Sequence, residues 1–355
     1  MKKNISGIQQ IGIGVEHLDQ AWSWYRKYFG MDICIFEEKA VAEFMLHYTN
    51  GKPRERHAVL AINMQGGGGF EVWQHTGKKP QPASKEFQMG DLGINICKMK
   101  TQNAELLRNY FVEQQLNVLT PILETCDGVK HFFIKDPFNN TFQFIEEASI
   151  FINDKKKSGG VFGAIIGVSD IKKSLRVYQD ILNYDQIVYD KTATFDDFSA
   201  LNGGSSEFRR VLLRHSEVRK GAFSRLLGPT EIELIQVLGR TPGSVYEGRI
   251  WGDPGFIHLC FDINGFFELR KECERKGFPF TVDSTRTLAK AFDMGDAAGN
   301  FSYISDPDGT PIEFVETRKV PVLKKLGIYI KLYRRDPEKS LPVWMLKSLR
   351  FQRKN

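Results

Sequence analysis

Runs of alternating apolar and polar residues recur along this chain, and each group of runs is led by a strand followed by one helical segment. Ile8 to Val15 alternates with the period of a half-buried strand, and Leu18 to Phe29 then brings Trp22, Tyr25 and Phe29 onto one helical face. Asp32 to Glu38, His57 to Met64 and Phe70 to His75 return to strand character, so the first quarter predicts a βαβββ unit. The second quarter repeats the order: a strand over Leu92 to Lys98, a helix over Gln102 to Gln115, then strands near Val118, Lys130 to Lys135 and Thr141 to Glu146. The third has Gly163 to Ser169, a helix from Ile171 to Leu182, then Asp185 to Asp190, Phe208 to His215 and Glu231 to Val237. The fourth has Phe256 to Ile263, a helix over Gly265 to Lys276, a short strand near Phe280, Phe301 to Ser305 and Thr310 to Glu316.

The units also share letters. Asp136-Pro137-Phe138-Asn139-Asn140-Thr141-Phe142-Gln143-Phe144 returns 170 positions later as Asp306-Pro307-Asp308-Gly309-Thr310-Pro311-Ile312-Glu313-Phe314, a tight turn feeding a strand. Gly14-Val15, Tyr25 and Asp32 return 153 positions on as Gly167-Val168, Tyr178 and Asp185. The chain divides accordingly into halves at 1–152 and 161–317, a charged and Gly-rich linker at 153–160 read as a solvated connection, and a tail at 318–355. Gly66 to Gly69 reads as a flexible hairpin, because no Lys-Ser/Thr pair follows to make it a phosphate loop.

With 355 residues, 41% of them hydrophobic and 26% charged, the chain suits two domains of a soluble protein. It has no apolar run long enough to span a membrane and no apolar signal core after Met1-Lys2-Lys3-Asn4, which favours the cytoplasm. Five cysteines without a Cys-x-x-Cys pair argue against a disulfide framework or a thiolate zinc site; Cys97 and Cys260 read as packing residues at matching places in two first strands. Twelve of the 49 basic and two of the 43 acidic residues lie in 318–355, so the tail carries +10 and residues 1–317 carry −4. That distribution excludes a broad nucleic-acid-binding surface. The tail reads as amphipathic helices docking on the body or on a second subunit of a homodimer, with an anionic membrane surface or a phosphate-bearing substrate as sharper alternatives.

Tandem βαβββ units, the Val168-Ser169-Asp170 turn into a helix bearing Ser174 and Tyr178, and the Asp306-Pro307-Asp308-Gly309 turn before Ile312-Glu313-Phe314 resemble the vicinal oxygen chelate superfamily. This group includes glyoxalase I, methylmalonyl-CoA epimerase, extradiol dioxygenases and bleomycin-resistance proteins, and the resemblance covers about residues 7–317. It implies an α+β fold of four βαβββ modules forming two incompletely closed, barrel-like cups, with the basic tail appended. It also implies a divalent metal ion held by inward-facing residues of the first and last strand of each unit. The matching positions are Gln10, Glu71, Asn95 and Gln143 in the first half, and Gly163, Glu233, His258 and Glu313 in the second.

The first set is mostly neutral and would hold a metal weakly, so the first cup reads as metal-poor. Glu233, His258 and Glu313 supply an imidazole and two carboxylates, which suits one Fe, Mn, Ni, Co or Zn ion and leaves positions open for a chelating substrate. The second cup is therefore the expected active site, with Glu313 or Glu233 as the base and Tyr303 as a substrate-binding residue. The expected function is that of a glyoxalase-type lyase or isomerase, stabilising an enediolate or enolate of a small carbonyl compound or thioester. Gly163 stands where a dioxygenase of the superfamily would need a second histidine, which makes an extradiol or 2-oxoacid dioxygenase the runner-up. A non-catalytic small-molecule binder, as in resistance proteins, is the third reading.

Overall fold

The computed structural model describes residues 3–83, 85–286, 292–294, 297–323 and 328–354. The first unit comprises β1 (Asn4–Gly14), α1 (Leu18–Phe29), β2 (Ile33–Val41), β3 (Glu55–Ile62) and β4 (Gly69–His75). The second comprises β5 (Gly93–Thr101), α2 (Ala104–Glu113), the short β6 (Asn117–Val118) and β7 (Leu123–Glu124), β8 (Lys130–Lys135) and β9 (Thr141–Glu146). In the third, β10 (Val161–Gly167), α3 (Ile171–Tyr178), β11 (Gln186–Ala193) and β12 (Phe208–Arg214) precede a helical turn, α4 (Ser224–Leu227), and β13 (Glu231–Val237). The fourth has β14 (Gly255–Asn264), α5 (Phe266–Lys276), β15 (Val282–Asp283), β16 (Phe292–Met294), β17 (Ala297–Ser305) and β18 (Pro311–Leu323).

Local signals account for the helices. Asn103 and Asp170 each cap a helix by accepting from the backbone N–H three residues on, at 2.8 and 3.3 Å. The apolar stripe Leu18, Ala21, Trp22, Tyr25 and Phe29 buries α1 against the sheets.

The strands form two curled sheets, and their composition differs from the expected halves. One runs β15-β17-β18-β14-β1-β4-β3-β2 and joins the first unit to the fourth; the other runs β11-β12-β13-β10-β5-β9-β8-β6 and joins the second to the third. The central seams are antiparallel, β1 with β14 and β10 with β5. Each half is instead tied by a helix reaching its neighbour's turn: Tyr25 donates to Asp136 at 2.5 Å and Tyr178 to Asp306 at 2.9 Å. The letters that repeat between halves thus perform the same task in both. Around them lies one continuous core shared by all four units, including Phe29, Phe70, Phe111, Phe142, Phe144, Phe256 and Phe314.

The linker is exposed at Asn153, Lys155 and Lys157 and buried from Ser158 to Gly160. Ser158 is buried, and its carbonyl accepts from Asn63 and Gln65 at 2.9 and 3.0 Å. Gly66 to Gly68 lie against this segment: Gly160 donates to Gly66, while Gly68 and Val161 exchange backbone hydrogen bonds at 2.8 and 2.9 Å. A Cβ on Gly67 would stand 2.8 Å from the Gly160 carbonyl carbon, so the glycine run serves close backbone approach rather than a free hairpin.

The tail 318–355 begins as a continuation of β18, pairs with β19 (Ile328–Lys331), and ends in the short helix α6 (Val343–Ser348); residues 324–327 and 355 lie outside the described part. Leu341, Met345 and Leu346 pack on Ile33, Ile62, Met64 and Leu226, and Arg353 pairs with Asp32 at 3.0 Å. Among the described residues the tail therefore covers the outer edge of the first unit with a strand pairing, the short helix α6 and 3-10 turns at Leu332–Arg334 and Leu349–Gln352. Among the described residues no helix is long and apolar enough to cross a membrane.

Candidate metal centre

In the sheet shared by the first and fourth units, Glu71, His258 and Glu313 converge from β4, β14 and β18. All three are buried and offer ligand atoms within 4.8 Å of one another. His258 Nε2 lies 3.0 Å from Glu313 and 3.4 Å from Glu71. Gln10 on β1 reaches the same point, its Nε2 donating to Glu313 at 3.5 Å while its Oε1 is buried without a partner. Both His258 ring nitrogens likewise lack a well-aligned hydrogen bond. Burial would lower the His258 pKa, but Glu313 and then Glu71 outweigh it and raise the pKa to about 9.

Register explains the convergence. Gly12 pairs with Glu71 along the parallel β1–β4 ladder, and Cys260 pairs with Glu313 along β14–β18, placing His258 one inward step before Cys260. Gly12 makes room for the imidazole: a Cβ there would lie 2.5 Å from His258 Cε1. Trp251 stacks on His258 at 5.9 Å and Tyr303 meets its edge at 5.6 Å. Tyr303 is the cross-strand partner of Glu313, and burial followed by the charges of Glu313 and Glu71 pushes its phenol far above the usual range. It stays protonated and able to donate.

The donor set fits a divalent cation. Two carboxylates, one imidazole and an amide oxygen made available by turning the Gln10 amide form a mixed O/N site suited to Mn, Fe, Co, Ni or Zn. Glu71 and Glu313 line a cavity of about 150 Å³, so the site is reachable from it.

Of the residues expected together, the structure brings together His258, Glu313 and Tyr303 and sets Glu233 apart. Glu233 belongs to the other sheet, where Arg210 and Tyr189 donate to one carboxylate oxygen at 2.7 and 2.8 Å and Lys98 to the other at 3.2 Å. Burial would raise its pKa, yet Arg210 and Lys98 prevail and hold it at about 2. Lys98 also pairs with Glu231, and Arg210 with Asp197 at 2.7 Å. Fixed cations thus occupy the place corresponding to the candidate metal centre of the first sheet. Glu71 stands where Glu233 was expected, because Glu71 belongs to the unit that shares a sheet with His258 and Glu313.

The neutral positions separate in the same way. Ile165 pairs with Glu233 as Gly12 does with Glu71, and Lys98 pairs with Gln143 as Cys260 does with Glu313. Counting back two residues, the counterpart of His258 is Ile96 and not Asn95, and the counterpart of Cys260 is Lys98 and not Cys97. A one-residue slip on a strand reverses the face. Asn95 holds a turn, accepting from Gly90 and donating to Asp91 and Gly93. Gln143 pairs with His131 at 3.0 Å. Gly163 lacks a side chain because a Cβ there would lie 2.0 Å from the Glu231 carbonyl oxygen.

No protein-family model and no curated protein matches the chain. Among solved structures, glyoxalase I from Zea mays is similar at 13% identity with a TM-score of 0.55, over 89% of this chain and 92% of that one. A point mutant of the same maize enzyme gives 14% and 0.56 over the same shares. A Bacillus subtilis structure described as a "putative dioxygenase" is similar at 12% and 0.54, over 100% and 98%. The chain shares the fold of these proteins.

Proposed function

We propose that this chain is a metal-dependent enzyme of the glyoxalase type, a lyase or isomerase acting on a small carbonyl compound, with Gln10, Glu71, His258 and Glu313 holding the metal. The observation that carries this reading is the buried convergence of Glu71, His258 and Glu313 from three strands, with the two carboxylates lining a cavity. Gln10, Glu71, His258 and Glu313 would hold a divalent ion, which would supply Lewis-acid stabilisation of negative charge developing on the substrate's oxygens.

The chain's own groups do the rest. Glu71 and Glu313 both face the cavity, so either carboxylate stands where a proton moves to or from the substrate carbon. They take the roles that Glu313 and Glu233 were expected to share. Tyr303, protonated and beside Glu313, is placed to donate to a substrate oxygen. Trp251 on one side and the Gly12 floor on the other fix the imidazole plane of His258.

A dioxygenase of this fold would call on two histidines and one carboxylate, whereas this cluster has one histidine and two carboxylates. The test is metal analysis of protein loaded with Mn(II), Co(II), Ni(II) or Zn(II). Wild type should retain one ion per chain, and His258→Ala and Glu313→Gln should lose it while keeping their circular dichroism. An ion retained by folded His258→Ala would refute the assignment. Hemithioacetal and 2-oxo substrates against oxygen uptake with Fe(II) and catechols separate the two reaction classes.

A further inference from the structure

We infer that the cavity above the candidate metal centre takes a compact substrate with two adjacent oxygens at one end, a flat apolar body, and one anionic group at the other end received by Arg56. This rests on the metal-site reading above and adds to it the substrate class.

The cavity is small. At about 150 Å³ it lies below the roughly 300–1,000 Å³ of common ligand pockets. Its lining is mixed, with Phe36, Phe44, Met45, Trp251 and Phe301 standing beside the carboxylates of Glu38, Glu43, Glu71 and Glu313. Phe44 packs edge-on against Phe301 at 5.6 Å, closing the first unit over the fourth. The aromatic members offer faces and edges against which a planar ring can pack.

Arg56 is the one cationic side chain among the described residues lining this cavity. On β3, Leu60 pairs with Glu71, and Arg56 lies four residues along the same face, about 13 Å away between α-carbons at 3.3 Å per residue. Metal centre and guanidinium therefore enter the cavity from separate positions along its wall. Nη2 of the guanidinium donates to Glu38 and the group lies over the Trp73 ring at 5.9 Å, while Nη1 is buried without a hydrogen-bond partner. A buried charged N–H left unmatched is costly, and a carboxylate or phenolate oxygen supplies the missing acceptor. Glu38 and Glu43 stand at the same cavity, so a second or third negative charge on the ligand would meet like charge. Glutathione conjugates and coenzyme A thioesters would bring several negative charges to Glu38 and Glu43.

Hydroxamates supply the probe, because their paired oxygens chelate a metal as the proposed substrate does. Benzohydroxamate and 4-carboxybenzohydroxamate are titrated calorimetrically into the Mn(II)-loaded full chain. The 4-carboxy compound should bind wild type at least tenfold more tightly. In Arg56→Met the preference should fall to within about twofold, with benzohydroxamate affinity little changed, and Arg56→Lys should recover part of it. Equal binding of the two probes by wild type, or a preference surviving in Arg56→Met, overturns the Arg56 subsite while leaving the metal centre standing. A glutathione-derived hydroxamate binding as well as the 4-carboxy compound overturns the size and charge limits. If neither aromatic hydroxamate binds more tightly with Mn(II) than without it, the metal-site reading fails and this inference falls with it.

Discussion

Replacing Lys98 with Met removes a fixed cation from the sheet of the second and third units. Lys98, Glu231 and Glu233 are fully buried, and Lys98 bridges the two carboxylates. The methionine fills similar volume but leaves negative charge with only Arg210 and Arg214 to balance it. Glu233 descends from an ordinary 4.5 to about 2 in the folded protein, against the opposing effect of burial. At 1.36 kcal/mol per pH unit that difference corresponds to about 3 kcal/mol, of which Lys98 and Arg210 supply the favourable side. Breaking a buried ion pair on one side costs about 3–5 kcal/mol, which sets the scale for removing Lys98.

The sign fixes the pH window. A carboxyl whose folded pKa is depressed stabilises the protein above its unfolded value, and that stability is lost as pH falls from about 4.5 towards 2. Urea denaturation at pH 7 should therefore show Lys98→Met destabilised by about 3 kcal/mol. The gap from wild type should narrow towards pH 3 as Glu233 begins to protonate. Metal content should stay at one ion per chain, because the metal centre lies in the other sheet. A loss below about 1 kcal/mol would refute the charge-locking account, the level expected of an exposed pair. A loss of bound metal would refute the separation of the two sheets' roles.

Further outcomes follow from other parts of the molecule. Gly12→Ala places a Cβ 2.5 Å from the His258 ring, so overpacking should cost about 1–3 kcal/mol and metal affinity should fall at least tenfold, read by denaturation and metal titration. Glu233→Gln should retain its metal while losing stability, the reverse of Glu313→Gln. His131 is held neutral by burial and by Lys98, with its pKa lowered to about 3 from 6.5; its contribution is present above pH 6.5 and lost as pH falls towards 3, so His131→Leu should flatten the stability profile over that range. Met345→Ala should destabilise by about 2–5 kcal/mol, because this buried side chain seals the tail over Ile33 and Ile62.

Much of this protein was legible in its sequence. Alternation and helical spacing located the four units, since period 2 and period 3.6 are local properties of the backbone and need no knowledge of neighbours. The helix over Leu18–Phe29 matches its pattern end for end. His258 and Glu313 stood out because a histidine and a carboxylate in otherwise apolar strands are unusual, and both lie in the same unit. What the local pattern could not supply was which units share a sheet. Four similar units present similar first strands, and no periodicity distinguishes the partner of β14. That choice is made by the β1–β14 seam, by the glycine run meeting 158–161, and by the Tyr25–Asp136 and Tyr178–Asp306 ties, all of them long-range contacts. Only these bring Gln10 and Glu71 to His258 and Glu313 and leave Glu233 to Lys98 and Arg210. Gly12 was the one available signal, a residue without a side chain on a buried strand, but its meaning depends on the imidazole that crosses it. The sequence by itself determined the modules and half of the candidate site; the tertiary structure decided the other half, because ligands from separate strands meet only after the sheets have chosen their partners.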